Sequence, residues 1–411
     1  MRVIMIVGDG MADRPLPELK GKTPLEAASP TNMQRLAANG ISGLLDPIAF
    51  GIAPGTEAAH LSILGYNPQV VQGGRGPFEA AGAGIDLQDG DLAFRCNFAT
   101  VNDAFAVMDE RAGRIGAEAA ELASTLETIK LKKNSDIQLI FRQTLGFKSA
   151  LVLRGRNLSA NVSAPMPKSG DIAGAIKPLD GSSEAKRTAD ALNEFTQITY
   201  SLLNTHPINV RRKSEGKPAA NVVLPWSGGK MPQLEPFGQK YGLKAACVAA
   251  ASVIKGIGKL IGMDVISVAG ATGELDTDVL AKADAALKAL ECHDFVLLHV
   301  EAPDEASHDG NTQGKIAIIK KIDAMIKHIL DNIDRSDTAI VLLADHVTST
   351  LDRMHTADPV PILFVGANIA KDRVAEYSER AASEGSLGRI QGKDVMPLIM
   401  DLFDNPNRNV R

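Results

Sequence analysis

Cysteine is scarce in this 411-residue chain: Cys96, Cys247 and Cys292 are the three, far apart, odd in number and in no metal-type spacing. That argues against a disulfide scaffold and suits a reducing cytosol, with the thiols expected as buried, inert small hydrophobes. An excess of charge of one sign is also missing. Lys and Arg number 44 against 49 Asp and Glu, a net charge of −5, which offers no general footprint for nucleic acid or an anionic membrane. Any anion site must be local. Long apolar runs are absent too: the longest, "AACVAAASVI", stops at Lys255, well short of a membrane span. The opening "MRVIMIVGDG" has one Arg and, after it, five apolar residues before a Gly-Asp-Gly turn, too few for a signal peptide's apolar region. A cytoplasmic protein is expected. What is present, 45% hydrophobic and 23% charged residues, is the composition of a globular protein, and 411 residues are long for one core, so two or three domains are expected.

Short runs rich in β-branched residues occur at 2–7, 294–300, 338–345 and 361–366. Apolar on both faces, they predict buried strands of a largely parallel sheet. Helical stretches alternate with them at "CVAAASVIKGIGKLIGM", "TDVLAKADAALKALE", "GKIAIIKKIDAMIKHILDNI" and "GKDVMPLIMDLFD", which predicts an α/β layered domain with helices on both faces. Residues 76–235 differ. "LAFRCNFATVNDAFAVMDERAG" alternates like a meander of half-exposed strands; a helix near "AEAAELASTLETI", strands at "IQLIFR" and "ALVLRG" and a Pro/Ser/Gly-rich stretch follow. This reads as a smaller α+β domain inserted between 1–75 and 236–411.

Acidic residues and histidines follow the predicted strands of the α/β segments. Asp9 comes after "VIMIV", Asp304 and His308 after "FVLLHVEAP", Asp345 and His346 end "AIVLLA", and His355 lies in the next loop. Ligands of open α/β sheets bind at the carboxyl ends of strands, so these groups can converge in one crevice. Each alone is a common turn or cap. Together, three carboxylates and three histidines supply what a pair of divalent ions needs, with Mn²⁺, Zn²⁺ or Co²⁺ suited to mixed ligation and Mg²⁺ less so. His60, His206, His293, His299 and His328 carry no such context and are expected as core or surface histidines. Thr56, in "PGTEAAH", reads two ways: as a helix N-cap, or as a hydroxyl nucleophile whose proton a metal loosens and whose helix N-terminus receives a phosphate.

The ordered motifs "GDGMADRP" (8–15), "APGTEAAHLSILGYNP" (53–68), "GRGPFEAAGAGI" (74–85), "FRCNFATV" (94–101), "DERAGRI" (109–115), "HPINVRRKSEGKPAANVVL" (206–224), "VAGATGELDTD" (268–278), "HVEAPDEASHDG" (299–310) and "ADHVTSTLDRMHTADPVPI" (344–362) span nearly the whole chain. In them the chain resembles the archaeal form of the cofactor-independent (2,3-bisphosphoglycerate-independent) phosphoglycerate mutases, of the alkaline phosphatase superfamily. The resemblance implies one metal held by Asp304, His308 and His355, and a second held by Asp9, Asp345, His346 and Thr56. It implies an alkaline-phosphatase-like layered domain plus the inserted substrate-binding domain. The activity it implies is interconversion of 3- and 2-phosphoglycerate in glycolysis and gluconeogenesis, without added 2,3-bisphosphoglycerate, through a phosphothreonine at Thr56. Arg95, Asn97, Arg111, Arg114, Asn209 and Arg212 are the candidates for the substrate's phosphate and carboxylate, and Lys230 or Lys255 for assisting at the leaving oxygen. A small-molecule substrate is expected, with no nucleic acid or membrane partner; the oligomeric state is left open.

The family usually has Ser-Asp where this chain has Thr56-Glu57, and Gly where it has Ser307. Segments 161–168 and 225–230 also depart from the family pattern. The rival readings are a related metal-dependent phosphotransferase or phosphatase for another small phosphorylated metabolite, and a metal- or metabolite-binding paralogue without turnover.

Overall fold

Five segments at the heart of the chain, Arg2–Gly8, Phe295–Val300, Thr338–Leu343, Val360–Val365 and Ile41–Asp46, are almost wholly buried, which only a sheet covered on both faces allows. The computed structural model describes residues 1–367 and 369–404. They form two units, Met1–Gln69 with the chain from Leu234 onward, and Val70–Gln233.

The first unit is built on an eight-stranded sheet. Its order is Gly388–Gln391, Ile41–Asp46, Val360–Val365, Thr338–Leu343, Arg2–Gly8, Phe295–Val300, Ala245–Val248 and Asp264–Ile266. All run the same way except Val360–Val365. Val3, Ile4, Met5, Ile6 and Val7 have no exposed surface. Burying a side chain of this kind contributes roughly 1.5–3 kcal/mol, so this strand alone is a major part of the core. Helices Val279–Leu290 and Thr312–Asn332 pack against each other, and the first also covers the Phe295–Val300 strand.

One expectation is corrected here. "CVAAASVIKGIGKLIGM" is not one helix: Ala245–Val248 is a strand, and the helix is Ser252–Leu260. The alanines are good helix formers, but parallel pairing with Phe295–Leu298 overrides their propensity. Ile41–Asp46 and the half-exposed edge strand Gly388–Gln391 carry no clear strand signal in the sequence, yet complete the sheet.

In the second unit, the ten-residue strand Leu92–Val101 pairs antiparallel with Lys148–Arg154, Val222–Lys230 and Val107–Asp109; Gln138–Gln143 extends the sheet from Lys148–Arg154. The 21-residue helix Ser183–Leu203 packs on Val222–Lys230, capped by the Ser182 hydroxyl, which accepts from the Ala185 N–H. Neither that helix nor the Val222–Lys230 strand is evident in the sequence. Pro225, Gly228 and Gly229 argue against a strand, and the ladder accommodates them with a register shift opposite Ala93–Arg95. Cys96 and Cys247 are buried as expected, whereas Cys292 is exposed in the turn after Val279–Leu290. Among the described residues no helix is long and apolar enough to cross a membrane.

Candidate metal centre

The three central, adjacent parallel strands end at one edge of the sheet, and each delivers acidic or imidazole groups there. Asp9 follows Arg2–Gly8, its N–H held by the Val300 carbonyl at 2.9 Å. Asp304 and His308 lie one turn apart on the short helix Ala302–His308, after Phe295–Val300. Asp345 and His346 follow Thr338–Leu343, and Asp345 Oδ1 accepts the Gly10 N–H at 3.1 Å. His355 sits on Met354–Thr356, the partner of Val347–Ser349 in a two-stranded ribbon.

These side chains meet in two overlapping groups, Asp304 with His346 and His355, and Asp9 with Asp345 and His346. In each, one ligand atom per residue lies within 4.8 Å of the others. His346 belongs to both. His308 joins the first group, its Nε2 3.2 Å from His355 Nε2 and 3.4 Å from Asp304 Oδ2.

The tautomers follow from the backbone. His308 Nδ1 lies 2.9 Å from the Arg353 carbonyl and His355 Nδ1 2.9 Å from the Pro54 carbonyl. A carbonyl only accepts, so both Nδ1 atoms carry hydrogen and both Nε2 atoms point into the site with lone pairs. A proton or a cation must sit between two such lone pairs. Burial works against charge on His355, but the hydrogen bond and charge of Asp304 outweigh it and hold its pKa above the ordinary histidine value. Burial likewise opposes the charge on Asp304, yet the His355 hydrogen bond and the surrounding histidines bring it well below the carboxylate range.

The second group is starved of positive charge. Burial, then the neighbouring carboxylates, pushes Asp345 up to about 7 and raises Asp9 well above its ordinary value. Asp9 Oδ1 and Asp345 Oδ2 are buried without a hydrogen-bond partner. Orphaned carboxylate oxygens cost several kcal/mol unless a cation faces them. The donor set, carboxylates and bare imidazole Nε2 atoms, therefore fits divalent metal.

Thr56 lies beside His346, its hydroxyl 3.3 Å from Nε2. It is not the cap of its helix, which runs Thr56–Ile63: Gly55 is the N-cap and Thr56 the first helical residue. The capping expectation is thus corrected, because the hydroxyl faces the imidazole rather than an N–H of its own helix.

Two histidines expected to be ordinary belong here. His299 is fully buried, its Nε2 3.1 Å from Asp9 Oδ2, and His60 packs edge-on against it with Nδ1 2.8 Å from the Thr56 carbonyl. Burial pushes His60 down to about 4 and His299 well below its usual value, so both are neutral. The available signals were the strand-end position of His299 and the one-turn spacing of His60 from Thr56. His293 and His328 pair with Asp264 and Asp284 away from the site, and His206 caps the helix Pro207–Ser214.

The candidates in the second unit divide into two kinds. Asn209 is fully buried with its amide donating to the Leu203 and Ala220 carbonyls and its oxygen accepting the Ala220 N–H. Arg212 donates to the Pro218 and Ala112 carbonyls and to Glu118. Both are engaged in holding their own backbone. Arg95 bonds Glu79 and stacks on Trp226, whose indole N–H donates to Asn97. Arg111 lies over Phe147, and Arg114 adopts a left-handed φ of 53° in the same turn. Lys230 ends a strand of this unit, exposed; Lys255 is half-buried in the first unit, on the helix that follows Ala245–Val248 at the carboxyl edge of the large sheet.

A central parallel sheet with a carboxylate and histidine cluster at its carboxyl edge defines a metal-dependent α/β enzyme, and residues 1–402 match the family model described as the metalloenzyme superfamily. Similar curated proteins are 2,3-bisphosphoglycerate-independent phosphoglycerate mutase 1 of Methanothermobacter thermautotrophicus, 46% identical over 99% of this chain and 98% of the relative, and its namesake from Methanocaldococcus jannaschii, 45% identical over 98% and 97%. Among solved structures, a Pyrococcus horikoshii protein is 36% identical at a TM-score of 0.82, covering 98% of this chain and 97% of its own. The cofactor-independent phosphoglycerate mutase of Thermoplasma acidophilum is 33% identical at 0.65, covering 98% and 99%. The chain belongs to the 2,3-bisphosphoglycerate-independent phosphoglycerate mutase family of that superfamily, whose members are isomerases.

Proposed function

We propose that this chain interconverts 3-phosphoglycerate and 2-phosphoglycerate, without added 2,3-bisphosphoglycerate, through a phosphoryl group carried on Thr56, serving glycolysis and gluconeogenesis. The names of its relatives support the substrate. The observation that carries the mechanism is the Thr56 hydroxyl 3.3 Å from His346, the histidine shared by both ligand groups.

Asp304, His308 and His355 would hold one divalent ion, and Asp9, Asp345 and His346 the other, with Thr56 beside it. Such ions, Mn²⁺ first in preference, with Co²⁺, Zn²⁺ or Mg²⁺ as substitutes, acidify the hydroxyl and offset charge on the phosphoryl oxygens. The chain's own groups do the rest. Thr56 Oγ1 forms a bond to phosphorus as the bond to the glycerate oxygen breaks, and the proton Thr56 gives up balances the one the glycerate oxygen takes. At the first position of its helix, Thr56 would hold the phosphoryl group at the positive end of the helix dipole. Lys230 or Lys255 would assist at the leaving oxygen. Arg95, Asn97, Arg111 and Arg114 supply donors for the substrate's anionic groups. The glycerate then presents its other hydroxyl and takes the phosphoryl group back.

Formation of 2-phosphoglycerate by Mn²⁺-loaded protein given 3-phosphoglycerate alone tests this reading. Release of inorganic phosphate in place of 2-phosphoglycerate would instead make the protein a phosphatase.

A further inference from the structure

Thr348 has no place in the ligand groups, yet its side chain touches both. It is fully buried on the Val347–Ser349 strand. Its Oγ1 lies 2.7 Å from Asp304 Oδ1 and 3.0 Å from His346 Nδ1. A hydroxyl has one proton to give. The 2.7 Å contact with an ionised carboxylate has the length of an O–H···O⁻ bond, and a carboxylate oxygen only accepts, so the proton goes to Asp304. The hydroxyl must then accept from His346, which places hydrogen on Nδ1 and leaves Nε2 bare, facing Asp9, Asp345 and Thr56. Thr348 therefore does for His346 what the Arg353 and Pro54 carbonyls do for His308 and His355.

The surroundings hold this hydroxyl in place. The Thr348 N–H meets the Ala12 carbonyl at 3.3 Å, its carbonyl accepts the buried Lys315 ammonium at 2.9 Å, and across the ribbon it pairs with His355. Gly10, at a φ of +55°, leaves the space: a Cβ there would run into Thr348 Oγ1 and Asp304 Oδ1.

We propose that Thr348 is a positioning residue that fixes the His346 tautomer and ties it to Asp304, coupling the two metal sites through one hydroxyl. This rests on the two-metal reading above.

Calorimetric titration of the metal-free full-length protein with Mn²⁺ tests it, comparing wild type, Thr348→Val, which keeps the shape and removes the hydroxyl, and Thr348→Ser, which keeps the hydroxyl. Wild type should bind two ions, Thr348→Val about 10- to 100-fold more weakly, and Thr348→Ser close to wild type. Wild-type affinities in Thr348→Val would overturn the role of Thr348 while leaving the two-metal reading intact. Fewer than two ions on wild type would overturn that reading and this proposal with it. Because a buried Val can perturb folding, ¹⁵N NMR of histidine-labelled, metal-free wild type provides a second test. His346 carrying hydrogen on Nδ1 supports the proposal; hydrogen on Nε2 contradicts it.

Discussion

Lys315 is fully buried, 2.9 Å from Asp13 Oδ2, and also donates to the Ala12 carbonyl at 3.1 Å and the Thr348 carbonyl at 2.9 Å. Lys315→Met keeps the apolar stem and deletes the ammonium. What remains is a buried carboxylate and two carbonyls without their donor. Removing one partner of a buried pair costs about 3–5 kcal/mol. Asp13 retains donors in the Thr350 N–H, the Thr350 hydroxyl and the Arg14 N–H, so the low end, about 3 kcal/mol, is expected. For a unit of this size that lowers the melting temperature by roughly 6–12 °C, measurable by scanning calorimetry. Adding Asp13→Asn should recover part of the loss, because the uncompensated charge is then gone. A loss below about 1 kcal/mol in Lys315→Met, or a double variant as unstable as the sum of the singles, would refute the reasoning.

Glu379 accepts the Asp13 N–H and the Thr23 hydroxyl, and burial pushes it up to about 7 from an ordinary 4.5. The native carboxyl keeps a proton that the unfolded chain releases, so stability falls as pH rises through that window, by about 3 kcal/mol. Glu379→Gln should remove that component, gaining on wild type between acidic and neutral pH in urea titrations; parallel pH profiles would count against it. Stripping Mn²⁺ from loaded protein should lower the melting temperature, since a site held at about a hundred times its Kd contributes about 2.7 kcal/mol to the folded state; an unchanged melting temperature would deny metal binding. Thr56→Ala loses a single 3.3 Å contact and should melt within a few degrees of wild type while losing mutase activity, whereas Thr56→Ser should keep activity.

The proposed ligands are legible because chemistry gathers at strand ends: Asp9, Asp304, His308, Asp345 and His346 follow recognisable apolar runs, and His355 lies in the loop beyond the last of these. Thr348 and His299 were not, because their importance lies in what they touch across the fold rather than in a local pattern. His60 shows the same limit: only the folded chain turns its helical face toward Asp345, with Nδ1 3.4 Å from Oδ2. The central parallel strands were legible from their doubly apolar character. Ala245–Val248 was hidden by alanine's helical preference, and Val222–Lys230 by its Pro and Gly residues. The helix Ser183–Leu203 is not legible in the sequence because its buried stripe includes Thr188, Thr196 and Thr199, whose hydroxyls bond backbone carbonyls and read as polar in sequence.

The central claim is that Thr56 carries the phosphoryl group. Mn²⁺-loaded protein mixed with 3-phosphoglycerate, quenched during turnover and digested, should yield phosphate on the peptide bearing Thr56, and 2-phosphoglycerate should form without added 2,3-bisphosphoglycerate. Product formed at full rate by Thr56→Ala, or phosphate trapped on another residue, would contradict the account.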